Sequence, residues 1–490
     1  MYAAVVLDLD GTFLQSDKQV SDRNRKSVLA CYEQGMRIIF ATARPPRAVK
    51  WFLPKDLLNI GSFIYYNGAM ISCIHSGISL HQPITSALTA EILDHCIGSD
   101  PGIEIGIEVL DEWFSLKEVD STIVMNVKGN PVVKSIDELR RFDATKILIT
   151  GNVDHDLLNE RFSSDLNILL TDNGQLTQIM SKKASKEQAV LNLMDEFGMD
   201  MKNVVVFGDD YNDVGLFRTC GWSVAMGNAV PILKSIASEI TDNNDNDGVA
   251  IVLDRIMNTK YIRSEEKKYH DSCYESNKLF EPGSWLHKPV KTVLDCLEEL
   301  NDRSFLNVLD LGCGVGRNSI PIAETLKSRD GRVVCVDLLD SAIEKLQDYS
   351  KEYGVYQFIE SIISDIEHFH IGRAEYDLII SVSALEHVSS VAVLERKLIE
   401  MAMGTKANGI NCIIINSNVR EIQDGTNMEL EPLLEVNMTT ESLLKLLDRQ
   451  YEGWEIKVCK VKPLEFLIER NGNPVKLLTN CITFVSKNIQ

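Results

Sequence analysis

Two acidic clusters, each ending a hydrophobic run, constrain this chain more than any other feature. Residues 5–12 read VVLDLDGT and residues 204–213 read VVVFGDDYND. Runs of Val, Leu and Phe with little polarity are buried parallel strands, so both clusters lie at strand C-termini. In an open α/β sheet those ends form the crevice where ligands bind. Four carboxylates, Asp8, Asp10, Asp209 and Asp213, are therefore expected to converge. Such a group cannot stay ionised without a cation, and oxygen-only donors favour Mg²⁺.

The rhythm along the chain extends this reading. A strand at 3–7, a helix at 21–34 and a strand at 37–41 form a βαβ unit, and a further strand at 64–66 ends at Asn67-Gly68. From residue 82 or so the rhythm changes. Strands at 103–109, 123–127 and 146–150 belong to a separate α+β insertion. The first pattern resumes with a helix at 185–197 and the strand at 204–207. A polar, turn-rich stretch at 242–248 precedes a closing helix that is expected to end near Met257, and the charged residues from 258 read as a linker. A second α/β rhythm follows: strand 307–311, helix 318–327, strands 332–336 and 377–382. The predicted division is a core from 1–82 and 183–257, an inserted cap at 83–182, a linker at 258–265 and a second Rossmann-like domain at 266–490.

Composition narrows the classes. A chain of 490 residues exceeds one hydrophobic core. Its net charge of -21 argues against general affinity for nucleic acid or anionic membrane. Apolar runs are strand-length, and too few residues precede Asp8 for a signal sequence. The 11 cysteines are scattered without a CxxC pair, which fits reduced thiols in the cytoplasm rather than a disulfide framework or a zinc site.

In the first half, Asp8-Leu9-Asp10-Gly11-Thr12 is followed by Thr42-Ala43-Arg44, by Lys186 opening a helix, and by Gly208-Asp209-Asp210-Tyr211-Asn212-Asp213. This order, with VAMGNA at 224–229 and DGV at 247–249, resembles the Cof-type branch of the haloacid dehalogenase (HAD) superfamily over residues 1–257. Ala43 stands where that branch usually has glycine. The chemistry also follows from the residues. Asp8 can attack phosphorus to give an aspartyl phosphate. Asp10 can protonate the leaving alcohol and then deprotonate water. Asp209 and Asp213 hold Mg²⁺ beside Asp8, and Thr42 and Lys186 bind the phosphoryl oxygens. The resemblance implies that the backbone carbonyl of Asp10 is also a ligand and that Asn212 binds phosphate. Lys182 and Lys183 compete with Lys186, but only Lys186 precedes an amphipathic helix. Asn67 either touches substrate or forms a turn with Gly68, and Arg44 reads as an ion-pair residue. A cap excludes water and reads the leaving group. Glu108, Asp111, Glu112 and Trp113 are candidates to line it, but a solvated strand edge is the preferred reading.

In the second half, residues 308–316 read VLDLGCGVG. Arg317 occupies the third glycine position of a nicotinamide fingerprint, so the pattern is D-x-G-x-G-x-G instead. It resembles motif I of class I S-adenosylmethionine (SAM) methyltransferases over residues 266–490. Asp337 ends the next strand and suits the ribose hydroxyls, with Leu338 beside it. The resemblance places Asp365, next to Ile366, at the adenine amino group. The cofactor set is Asp310, Gly312, Cys313, Gly314, Gly316, Asp337, Leu338, Asp365, Ile366 and Ser381. Tyr269, Trp285 and His387 are candidates for the acceptor site. Cys313 reads as a packed residue rather than a nucleophile, His387 as a loop hydrogen-bonding group, and Asp365 could simply cap a helix. The segment after the glycine loop is similar to small-molecule methyltransferases, including those acting on tellurite.

The expectation is a bifunctional enzyme: Mg²⁺-dependent hydrolysis of a small phosphorylated metabolite and SAM-dependent methylation of a small acceptor, with no nucleic-acid or membrane partner. The alternatives are a phosphotransferase or phosphomutase, or a HAD domain that senses a metabolite.

Overall fold

In the computed structural model, the structure describes residues 2–99, 102–118, 129–151, 153–171, 176–426, 428–470 and 473–489. The chain forms two compact units, Met1–Met257 and Asn258–Gln490.

The first unit is built on an eight-stranded sheet. Its spatial order is Glu239–Ile240, Trp222–Ala225, Val204–Gly208, Ala4–Leu7, Arg37–Ala41, Gly61–Tyr65, Met70–Cys73 and Ser79–His81. The first six strands are parallel and the last two antiparallel. The central strands are apolar throughout because helices cover both faces of such a sheet. Register fixes the chemistry. Leu7 pairs with Phe207, so the chain emerges at Asp8 and Asp209 on the same edge. A second, six-stranded sheet occupies the inserted region, with Lys146–Thr150 between Glu104–Val109 and Leu176–Ser181. Ile105, Ile147, Ile149 and Ile179 pack there with Ile92 and Leu93 of the helix Ser86–Ser99. The strand expected at 123–127 lies outside the described residues.

The second unit also has one sheet. Ile359–Ile363, Asp330–Asp337, Phe305–Leu311, Tyr376–Val382 and Thr405–Gln423 run parallel, and the long strands Asn473–Lys487 and Glu455–Arg470 complete it antiparallel. Alternation along Phe305–Leu311 feeds two cores: Leu306 and Val308 join one, Leu309 and Leu311 the other. A strand covered on both faces is apolar at most positions, and here Asn307 and Asp310 are the buried polar exceptions.

The expected end of the closing helix is corrected. The helix expected to close near Met257 is one helix, Gly248–Ser276, so residues 258–265 are helical. Residues 249–281 contain neither Gly nor Pro. Nothing in that stretch breaks a helix, and Glu265–Lys268 and Glu266–His270 pair along it. Among the described residues no helix is long and apolar enough to cross a membrane, and all 11 cysteines are free.

Candidate active sites

At the C-terminal edge of the first sheet, carboxylate oxygens of Asp8, Asp209 and Asp213 lie within 4.8 Å of one another. Lys186 stands at the first turn of the helix Lys186–Phe197, whose N-cap is Ser185. Its Nζ donates to Asp8 Oδ1 at 2.5 Å and to Asp213 Oδ1 at 2.8 Å, and its side chain is 1% exposed. Lys182 and Lys183 are exposed. One ammonium therefore faces three carboxylates. Burial, with repulsion from Asp213 and Asp209, pushes the Asp8 carboxyl well above its usual range against the pull of Lys186. Burial likewise raises Asp209 to about 7, although the Thr12 hydroxyl opposes it. Burial disfavours the Lys186 ammonium, but Asp213 and Asp8 outweigh that and hold it charged. A buried, oxygen-only set with unmatched negative charge suits a hard divalent cation such as Mg²⁺.

Asp10 departs from the expectation of four converging carboxylates. Its oxygens accept from Arg44 Nε and Nη2 at 2.5 and 2.6 Å, and from Lys18 Nζ at 2.9 Å. Burial works against ionisation, but Arg44 and Lys18 hold the carboxyl below its ordinary value. Arg44 is thus an ion-pair residue, and its partner is a candidate catalytic group. Thr42 is buried, and its Oγ1 accepts the Arg44 N–H at 3.1 Å. Asn67 sits in the left-handed region at φ 54° and accepts from Asn212 Nδ2 at 3.0 Å. The amide oxygen of Asn212 is buried without a protein partner. At Gly68, φ is +107° and an added Cβ would lie 2.2 Å from the Ser185 carbonyl oxygen, so only glycine fits against the cap of the Lys186 helix.

The insertion contributes Glu108, which is 4% exposed. Tyr66 Oη donates to it at 2.8 Å and Arg47 Nη2 pairs with it at 2.7 Å. A solvated strand edge therefore does not describe Glu108. Asp111 accepts the Arg47 N–H at 2.7 Å, Glu112 is exposed, and the Trp113 indole N–H is buried without a partner. Arg47 and Tyr66 escaped the sequence reading. The signal was present in the spacing of Arg44 and Arg47 around two prolines.

In the second unit, the loop after Phe305–Leu311 turns at Gly312, where φ is +77° and a Cβ would stand 2.3 Å from Ala384 Cβ. The Asp337 oxygens accept the N–H groups of Gly314 at 2.8 Å and Leu339 at 2.9 Å. Burial raises the Asp337 carboxyl against those bonds. Asp310 accepts from Ser319 Oγ at 2.5 Å, and burial raises it to about 7. Arg317 donates to the Trp285 carbonyl at 2.8 Å and lies 5.1 Å from that indole ring. The Trp285 ring is 6.0 Å from His270, whose ring is 5.3 Å from Tyr269 and 5.6 Å from Tyr274. The Tyr274 hydroxyl reaches Gly314, lying 3.1 Å from where its Cβ would stand, so this aromatic group borders the glycine loop. Cys313 is buried and its thiol is pushed up by burial, which leaves it un-ionised. Gly316 follows in the same loop, Leu338 is exposed, and Ile366 is buried. Ser381 is buried with its hydroxyl unpartnered.

Asp365 accepts from Arg263 Nη1 at 2.6 Å and from the Glu367 N–H at 2.9 Å. Arg263 also approaches Glu435 at 3.4 Å. His387 Nδ1 is 3.1 Å from Glu435 Oε2. Burial disfavours its charge, but Glu435, Glu266 and Glu386 raise it to about 9. Arg263, Glu386 and Glu435 are additions that only the fold could supply, because they come together from distant segments.

Two classes of enzyme are joined in this chain. Residues 5–253 match the profile of haloacid dehalogenase-like hydrolases, and the chain belongs to that family. Residues 308–409 match a methyltransferase domain. The chain is 23% identical over 257 residues to the 5-amino-6-(5-phospho-D-ribitylamino)uracil phosphatase YitU of Bacillus subtilis, covering 50% of this chain and 94% of that protein. It is 26% identical over 270 residues to a putative phosphatase of Haemophilus influenzae, covering 52% and 98%. A crystal structure of TM0651 from Thermotoga maritima aligns at 24% identity and a TM-score of 0.48, covering 52% of this chain and 97% of that one. The chain thus carries a haloacid dehalogenase-like hydrolase domain followed by a segment that matches a methyltransferase domain.

Proposed function

We propose that the first half hydrolyses a small phosphorylated metabolite with Mg²⁺, and that the second half methylates a small acceptor with SAM. The division follows residues 1–82 and 183–257 for the hydrolase core, 83–182 for the cap and 266–490 for the methyltransferase. The observation that carries the first activity is Lys186 bridging Asp8 and Asp213 within a buried carboxylate triad. Mg²⁺ held by Asp8, Asp209 and Asp213 supplies the positive charge that lets a carboxylate approach a phosphoryl group. Asp8 attacks phosphorus and the alkoxide leaves, giving an aspartyl phosphate. Lys186 and Thr42 hold the phosphoryl oxygens, with Asn212 and Asn67 beside them. Asp10 protonates the leaving oxygen and later takes a proton from water. Its pairing with Arg44 and Lys18 suits the second role; the first requires the bound substrate to draw Arg44 away.

For the second half, the supporting observation is Asp337 held against the glycine loop through Gly314. Asp337 accepts the ribose hydroxyls and Asp365 the adenine amino group. Asp310 and Arg317 face the charged methionine end. SAM supplies an activated methyl, so the protein acts mainly by placement.

The test is phosphate release from sugar phosphates, nucleotides and 5-amino-6-(5-phospho-D-ribitylamino)uracil, with and without Mg²⁺, alongside calorimetric SAM binding to the full chain. Turnover of none of these compounds, or no SAM binding by folded protein, would remove the corresponding half of the reading.

A further inference from the structure

We propose that the methyl acceptor is a phosphate-free hydroxyl or amine compound released by the chain's own phosphomonoester hydrolysis, because the cations around Glu386 and His387 are already paired with carboxylates. This rests on the two-activity reading above and fixes the order of its steps.

Glu386 and His387 lie on the loop after the strand Tyr376–Val382, and Ala384 of that loop touches Gly312. The loop therefore borders the cofactor crevice. Glu386 is 1% exposed. Its Oε1 accepts from the N–H of Asn416 at 3.2 Å and from its Nδ2 at 2.7 Å, while Oε2 is buried with no protein partner. A buried carboxylate oxygen in that state calls for a donor, which a hydroxyl or amine provides and a phosphoryl oxygen does not.

The surrounding charges point the same way. Arg263 pairs with Asp365 and Glu435 and lies 3.9 Å from Glu367; Arg470 pairs with Glu421 and lies 3.7 Å from Glu266; His387 pairs with Glu435. Six acids, Asp365, Glu367, Glu435, Glu421, Glu266 and Glu386, oppose three cations, Arg263, Arg470 and His387, so none of these cations is unmatched. Arg317 has no carboxylate partner among the contacts described, but it sits beside Asp310 at the glycine loop, where the carboxylate of SAM itself would take it. A phosphoryl dianion would have to displace a carboxylate from one of these pairs and leave it buried and unpaired, which is strongly unfavourable. The first unit has the opposite character, with Lys186 placed among groups that a metal completes.

The coupled chemistry balances. Hydrolysis of the phosphomonoester consumes water and releases phosphate and the free compound. A lone pair on its oxygen or nitrogen then forms a bond to the SAM methyl carbon. The electron pair of the S–C bond returns to sulfur, giving S-adenosylhomocysteine, and the acceptor's proton passes to Glu386.

The experiment uses the full-length Asp8→Asn variant, which leaves phosphorylated compounds intact, beside the unaltered chain. Probes are ribose 5-phosphate, glucose 6-phosphate and 5-amino-6-(5-phospho-D-ribitylamino)uracil, each with its phosphate-free counterpart, together with any further compound the phosphatase assay identifies. Transfer from methyl-labelled SAM is counted, and SAM calorimetry verifies the fold of the variant. For the pair whose phosphorylated member the unaltered chain hydrolyses, Asp8→Asn should methylate the phosphate-free member at least about 100-fold faster, while the unaltered chain methylates material supplied in either form. Equal methylation of the phosphorylated member by Asp8→Asn overturns the proposal. So does methylation of neither member when SAM binding and phosphate release both hold, a result that leaves the two activities standing. Failure of SAM binding or of phosphate release instead removes the reading beneath it.

Discussion

The two crevices handle charge in opposite ways. At the hydrolase site, strand ends bring three carboxylates within 4.8 Å, with Lys186 as the ammonium between Asp8 and Asp213. In the second unit, the carboxylates proposed to hold the cofactor already have donors: Asp337 has two backbone N–H groups, and Asp365 has Arg263 and a backbone N–H. The first arrangement is electrostatically incomplete and is suited to an ion. The second is locally satisfied, so an incoming molecule must share or replace existing hydrogen bonds. Similar sheets thus carry an electrostatically incomplete carboxylate group in one case and locally satisfied carboxylates in the other.

The largest test of this contrast is Asp8→Asn. Phosphate release should fall by about four orders of magnitude or more, since an amide neither attacks phosphorus nor holds Mg²⁺ well. SAM affinity measured on the same variant should stay within error. A variant that keeps most of its steady-state phosphatase rate would show that the triad is not the reacting centre.

A smaller loss is expected at the second site. Asp337→Ala should weaken SAM binding by about 1–3 kcal/mol by calorimetry, because ribose hydroxyls lose their acceptor while two N–H groups lose theirs. Undiminished affinity would place the ribose elsewhere.

Next comes pH. His387 is raised from 6.5 to about 9 in the folded chain. Its protonated form therefore stabilises the fold: the contribution is full below about 6.5 and is lost as pH rises through about 9. It should amount to about 3 kcal/mol in denaturant titrations of the full chain. Glu435→Gln should reduce it and shift the His387 NMR titration downward. A histidine that titrates near 6.5 in the unaltered protein would refute the charge network.

The smallest effect should follow Arg263→Lys. One charge remains for Asp365, but the fork that reaches Glu435 as well is lost, so SAM affinity should fall about three- to tenfold. Arg263→Ala should lose more, and a lysine variant no better than alanine would mean that the charge has no role.

Much of this was legible in the sequence, for identifiable reasons. Uninterrupted apolar runs located the central strands, and the acidic residues after them located the crevices. Lys186 could be separated from Lys182 and Lys183 because it alone opens an amphipathic helix. The orientation of Asp10 was not legible, since its partner Arg44 arrives from a different strand end. Glu108 was misread as surface because its burial depends on Tyr66 and Arg47, which belong to the core rather than the insertion. The helix end near Met257 was misplaced because charge was taken as a sign of irregular chain, when the absence of Gly and Pro from 249–281 favoured a longer helix.

The close approach of Gly68 to Ser185 implies, on the proposed role of Lys186, that turnover should depend on size at a position with no functional group. The Ser185 carbonyl lies where a methyl at residue 68 would go, and the next residue is Lys186. A helix moves nearly as a rod, so relief of that overlap would carry the ammonium away from Asp8 and Asp213 together. Gly68→Ala therefore adds one carbon and removes nothing, yet it should act as a mechanical throttle on turnover while every reacting side chain remains in the sequence.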